Sequence, residues 1–157
     1  IARTDQGRFF WELRSCIYWN AFDECKIIIP AIESKANYAY DTSGFFSNDK
    51  TSICLPKNPQ FVLALLNSSV LDWLIKQTAA SRQGGFYEFK PMYVSQLPIP
   101  PATPEQQATI TDLVDRILAA RTADSSADIT ALESAIDRHV YALYHLTPDE
   151  IEVVEGK

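Results

Sequence analysis

An α+β fold is predicted by three features: short β-branched runs in the first hundred residues, a proline-rich break near residue 100, and a tail whose apolar residues recur at helical spacing. The expected architecture is a small mixed sheet with packed helices, followed by a C-terminal antiparallel helical hairpin. Hydrophobic residues make up 46% of the 157 and charged residues 22%. That composition supports a packed core and excludes a chain disordered throughout. The longest apolar stretch, Phe61 to Ile75, is interrupted by Asn67, Ser68, Ser69 and Asp72, so no membrane contact is expected.

The elements follow in order. Lys26 to Ile32 contains Ile27-Ile28-Ile29, a run that suits a buried strand. Asn37–Asp41 and Phe45-Phe46 flank Thr42-Ser43-Gly44, which reads as a hairpin with glycine in its turn. Thr51 to Leu55 is a further short strand. Asn58-Pro59 opens a helix with Phe61, Leu65 and Leu66 on one side. Asn67-Ser68-Ser69 breaks it, and Val70, Leu71, Leu74 and Ile75 restart it. Ser81 to Gly85 reads as a flexible loop, and Phe86 to Phe89 alternates as a strand does.

Pro98, Pro100, Pro101 and Pro104 fall within seven residues and exclude both a helix interior and a central strand. An extended connector is expected, with a boundary between a 1–101 domain and a 102–157 helical arm. Thr103, Pro104 and Gln106 form a capping-box signature, followed by Ile110, Leu113, Val114, Ile117 and Leu118 at helical spacing. That helix should fade near Arg121. A second should start around Asp128, with Ile129, Leu132, Ile136, Val140 and Leu143 on one face. Thr147-Pro148-Asp149-Glu150 repeats the signature and predicts a last short turn.

The net charge of −6 hides a division. Residues 1–98 carry ten Lys and Arg against nine Asp and Glu, a net of +1; residues 99–157 carry four against eleven, a net of −7. The first part is therefore free to present a basic face to nucleic acid. Cys16, Cys25 and Cys54 lack zinc-ligand spacing and are odd in number, which suggests a reducing, cytoplasmic compartment. The chain opens on Ile1 without a signal-peptide pattern, and a parent extending upstream is expected.

No catalytic residue and no cofactor site is expected in this chain. Pro100-Pro101 is preceded by Ile99 and followed by Ala102, and Gly84-Gly85 sits on a loop, so neither supplies a methyltransferase motif. The rival catalytic reading is a magnesium-dependent nuclease using Asp23, Glu33 and Lys35, an acid followed by acid-x-lysine. A third reading is a protein-interaction module acting through the acidic helical hairpin.

Several blocks, in order, carry a resemblance. They are Trp11-Glu12-Leu13-Arg14 with Tyr18, Lys26 to Ile32, Phe45 to Thr51, Leu65-Leu66-Asn67-Ser68, Arg82 to Lys90, and Tyr93 to Pro100. Together they resemble the TaqI-like C-terminal specificity domain of type IIG restriction enzymes and adenine-specific DNA methyltransferases. The likeness covers roughly residues 9–101, and Leu132 to Ile151 resembles the usual C-terminal end of the same enzymes. Gln83 departs from the small or basic residue often found there. The resemblance implies a target-recognition module for restriction–modification and phage defence. It reads double-stranded DNA and positions the site for a methyltransferase domain upstream in the same polypeptide. S-adenosylmethionine is implied for that parent, and the helices over 104–145 are candidates for a subunit contact.

A DNA reader needs cations for phosphates and amide or guanidinium groups for base edges. Arg82 and Gln83 lie beside two glycines, and Lys90 follows the next strand. Lys35, Asn37 and Tyr38 follow the first buried strand, while Asn48, Lys50 and Lys57 lie on turns. These nine are the candidate DNA-binding residues. Trp11, Trp19 and Trp73 are read as core rather than stacking platforms, and His139 and His145 as packing or surface residues.

Overall fold

A computed structural model describes Phe9 and residues 16–157. The Trp11–Arg14 block lies outside them. Among the described residues, six helices and six short strands follow one 3₁₀ turn at Trp19–Phe22. The strands form two three-stranded sheets, each antiparallel throughout, where the sequence reading expects one mixed sheet. The α+β class stands.

Strand β1 (Lys26–Pro30) is the centre of the first sheet, between β3 (Ala39–Asp41) and β4 (Thr51–Cys54). Ile27 sits opposite both Tyr40 and Cys54. Alternation along β1 sends Ile27 and Ile29 into the core. At Ala31 the chain changes sheets. Its N–H donates to the Lys50 carbonyl at 2.8 Å, closing the first ladder, and its carbonyl accepts from the Phe89 N–H at 2.9 Å, opening the second. Strand β2 (Ile32–Glu33) then joins β6 (Phe86–Glu88), which also pairs with β5 (Ser81–Arg82). The single run expected over Lys26 to Ile32 is thus divided between two sheets.

The hairpin expected around Thr42-Ser43-Gly44 does not form. Phe45 and Phe46 are not a strand, and β3 pairs with β1 instead. The cause is Asp41, whose carboxylate accepts from the N–H groups of Ser43 at 2.8 Å and Phe45 at 2.9 Å. Those bonds curl the chain back, and Phe46 stacks on Phe22 with ring centroids 4.9 Å apart.

Helix α1 (Pro59–Asn67) starts on the Asn58 side chain, which accepts from Phe61 N–H. Ser68 ends α1 and caps α2 (Ser69–Thr78), so the predicted break is one shared residue in extended conformation. The Asn67 amide bonds the Tyr38 backbone in both directions, at 2.9 and 3.0 Å, and Asp72 accepts from Ala36 N–H at 2.6 Å. These contacts fix the segment between β2 and β3 against the helices.

After the short α3 (Pro91–Val94) the chain runs extended to α4 (Pro104–Ala123), which opens with the expected capping box. Helix α5 (Thr130–Leu143) starts two residues past Asp128, whose carboxylate accepts from Thr130 N–H. The expected last turn is an eight-residue helix, α6 (Pro148–Glu155), with a second capping box at Thr147 and Glu150. Helix α4 packs on α1 and α5, and α2 meets both α5 and α6. The buried faces join one core that runs from Ile27 through Leu65 and Leu71 to Ile110 and Val140. Polar ties reinforce it: Asn58 to Gln107 at 3.1 Å, and Ser69 to the Asp137 carboxylate at 2.6 and 2.9 Å. Among the described residues no helix is long and apolar enough to cross a membrane.

Trp19 is 55% exposed rather than core, because its short 3₁₀ turn buries only Phe22. Trp73 is half-buried, while His139 and His145 lie on the surface. All three cysteines are free thiols.

Candidate nucleic-acid interface

Strands β5 and β6 form a hairpin whose turn is Gln83-Gly84-Gly85. Both glycines have positive φ, +83° and +79°, a conformation that disfavours any residue with a Cβ. The hairpin therefore depends on these two glycines. Arg82 pairs across with Phe86, and Glu88 with Ile32, so antiparallel alternation puts all four on one face of the second sheet. Ile32 and Phe86 are exposed on that face, and Met92 is exposed just beyond it.

Arg82 does not lie on a free loop as the sequence reading expects. It is the second residue of β5, and its side chain is held. Arg82 Nε donates to Glu88 Oε1 at 2.9 Å, and Arg82 Nη2 donates to the same oxygen. Lys90 Nζ donates to it too, at 2.9 Å. Glu88 is only 4% exposed, while the two cations remain about half exposed. The donated bonds of Lys90 and Arg82 hold the Glu88 carboxyl below the usual carboxylate range. The trio carries a net charge of +1, with both cation side chains about half exposed.

Lys50 and Asn48 belong to the neighbouring turn, which is tied to the same sheet through Ala31. The Asn48 side chain accepts from Lys50 N–H at 2.9 Å, and Lys50 Nζ pairs with Asp49 at 2.6 Å. Gln83 is exposed at the hairpin tip. Lys35 and Asn37 are placed elsewhere. They line a cleft of about 620 Å³ between the approach to β3 and helices α1, α4 and α5, with Arg121 and Glu133 on its walls. Lys57 is exposed beside the α1 cap. Tyr38 is core: it is 5% exposed, meets the Phe89 ring edge-on at 5.8 Å, and has an enclosed hydroxyl without a partner among the described residues. Burial, with the Asp72 charge nearby, pushes its hydroxyl pKa well up. Its side chain offers no surface to a duplex.

Asp23 precedes β1 and Glu33 follows it in β2, so the five extended residues of β1, roughly 16 Å at about 3.3 Å per residue, stand between them along the chain. Among the described residues no group of three or more His, Cys, Asp or Glu is placed to hold a metal ion.

Glu88 is the member of this trio that the sequence reading missed. A carboxylate does not suggest itself where cations are sought, and only the strand register puts it beside Arg82 and Lys90. The available signal was spacing: cations lie six residues before it and two after it, around a glycine turn.

The model of the TaqI-like C-terminal specificity domain matches residues 8–99, more than half of the chain, and the chain belongs to that family. Such a domain is a DNA sequence-specificity module of restriction–modification enzymes and is itself non-catalytic. Helices α4 to α6 lie beyond the matched residues. No curated protein matches the chain.

Proposed function

We propose that this chain reads a short sequence in double-stranded DNA by inserting the β5–β6 hairpin into the major groove. It then presents an adenine to a methyltransferase domain upstream in the same polypeptide. The observation that carries this reading is the outward pair Arg82 and Lys90, set on one face with exposed Ile32 and Phe86. The major groove admits a two-stranded β-ribbon, and its base edges present the acceptors and thymine methyls that such a face suits. Asn48, Lys50 and Gln83 extend the same surface and would supply phosphate or base contacts. Lys35, Asn37 and Lys57 would contact DNA only if it wraps further around the module.

Methyl transfer and base extrusion belong to the upstream domain, which would use S-adenosylmethionine. The parent is then a type IIG or related enzyme of phage defence, working in the cytoplasm. Free cysteines suit that compartment. Residues 1–101 are the reading domain in this proposal. The 102–157 helices buttress it and offer their acidic outer side to a subunit contact. The separation of Asp23 from Glu33 leaves magnesium-dependent cleavage without support.

The test is Arg82→Ala in the full-length protein, assayed for methylation on a panel of sites substituted one base at a time. Loss of about 1–3 kcal/mol of discrimination at one position is expected for a base reader. Uniform weakening across the panel, with the salt slope reduced by about one, would mark a phosphate contact instead. Unchanged specificity, affinity and salt slope would remove the hairpin from the interface.

A further inference from the structure

A buried carboxylate between two cations costs a DNA-binding surface some of its attraction, so its presence calls for a reason. The geometry of Arg82 supplies one. A guanidinium carries five N–H donors in a rigid planar fork. Glu88 Oε1 accepts from Nε and Nη2, which together form the side edge of that fork. The end edge, Nη1 with the second hydrogen of Nη2, has no bond to any described residue. It is a pair of parallel donors on an exposed face. Two parallel donors match the O6 and N7 acceptors of guanine in the major groove.

We infer that Glu88 is a positioning residue: it locks the side edge of Arg82 so that the end edge projects as a preset fork for one guanine. The inference rests on the hairpin's being the DNA-contacting element. Glu88 is suited to the task because it sits on the central strand of its sheet and is itself almost wholly enclosed. Lys90 donates to the same oxygen, so the carboxylate is balanced twice and the surface stays positive. Fixing a long side chain before binding removes part of the entropy otherwise lost on complex formation. An unheld arginine would contact phosphates and bases indifferently.

The test uses the full-length protein and a randomised duplex library. The site enriched by the wild type is remade as a single-substitution panel, and binding is measured across it at several salt concentrations. The enriched site should contain a G·C pair at which Arg82→Ala loses about 5- to 150-fold of discrimination. Glu88→Gln should lose discrimination at that same pair, while its binding to mismatched duplexes is retained or increased. In the Arg82→Ala background, Glu88→Gln should add nothing at that pair. If Glu88→Gln keeps wild-type discrimination while Arg82→Ala loses it, the positioning role is wrong and the hairpin reading survives. Equal weakening of every duplex by Glu88→Gln would mean a merely structural role and would also overturn the inference. If Arg82→Ala itself changes nothing, the hairpin reading fails and takes the inference with it. Should thermal melts show Glu88→Gln unfolded, Glu88→Asp carries the same expectation, because it keeps the charge and withdraws it by one methylene.

Discussion

Lys26 is fully enclosed, yet it bears a charge, and each of its contacts accounts for that. Its Nζ lies 2.5 Å from Asp41 Oδ2 and donates to the Phe22 carbonyl at 2.6 Å. Asp41 in turn accepts the backbone N–H groups of Ser43 and Phe45. Removing one partner strands the other charge in the interior, which costs about 3–5 kcal/mol. Asp41→Ala should therefore destabilise by about that much in chemical denaturation, and Lys26→Met with Asp41→Leu by much less, because both charges then leave together. The same pair sets an acid limit. Burial pulls the Asp41 carboxyl up, but the bonds from Lys26, Ser43 and Phe45 outweigh it and leave it below its ordinary value. A folded pKa below the unfolded one means that its stabilisation is full above about pH 4 and is lost as pH falls through the lower folded value. Denaturation midpoints should drop as pH falls below about 4, and less steeply in Asp41→Asn. An unchanged acid limb in that variant would show that other carboxylates set it. Neither partner is marked in the sequence: a lysine at the head of an isoleucine run reads as a strand end, and its burial follows only from the curl at Asp41.

Helix α5 shows the same economy at the level of elements. Its inner face carries Ile136, Val140 and Leu143, and the face meets α2 and α4 within the common core. Leu143→Ala should cost about 2–5 kcal/mol, as truncation of a buried leucine does. A thermal melt of the isolated chain reads this directly, and a loss well under that range would place the face against a partner instead. This face was legible in the sequence because a 3.6-residue period persists over four turns and needs no knowledge of neighbours. The capping box at Thr103 and Gln106 was legible for the same reason: it is made of residues three apart. Most of the strands were located, but the one pairing drawn, a hairpin about Thr42-Ser43-Gly44, is replaced by β3 on β1, since pairing is set by distant partners. Ser81-Arg82 is too short to show alternation at all, so it read as loop. The handover at Ala31 divides one apolar run between two sheets, and only two backbone bonds reveal it. The candidate site suffered likewise. Arg82, Gln83 and Lys90 were picked as candidates from residue type, but the place of Glu88 between two of them needed the register, and Tyr38 was taken for a surface residue although it is buried with its backbone held by the Asn67 amide.

For the molecule as a whole, charge and core are distributed differently. The core is continuous from β1 to α5, so the tail is packed against the sheet-bearing part as a rigid support. The charge is divided, with a net of +1 over residues 1–98 and −7 over 99–157. A polyanion is repelled by the strongly acidic residues 99–157 and not by the near-neutral part before them, which biases its approach without fixing it strongly. Among the described residues, few cations in the sheets and their turns remain uncommitted. Lys50 is paired with Asp49, and Arg82 and Lys90 share Glu88. Two or three phosphate contacts are then expected from the described residues of the sheets and their turns. At about 0.9 unit of log K per contact for each tenfold change in salt, the expected slope is roughly −2 to −3. Affinity should lie in the non-specific range, about 10 to 100 micromolar at physiological salt. Fluorescence anisotropy with a labelled random-sequence duplex, titrated between 50 and 200 millimolar salt, measures both quantities. A steeper slope would point to contacts from further cations, Lys35 and Lys57 among them. Tight binding that ignores salt would contradict a phosphate-driven mode altogether, because neutralising phosphates necessarily releases counterions.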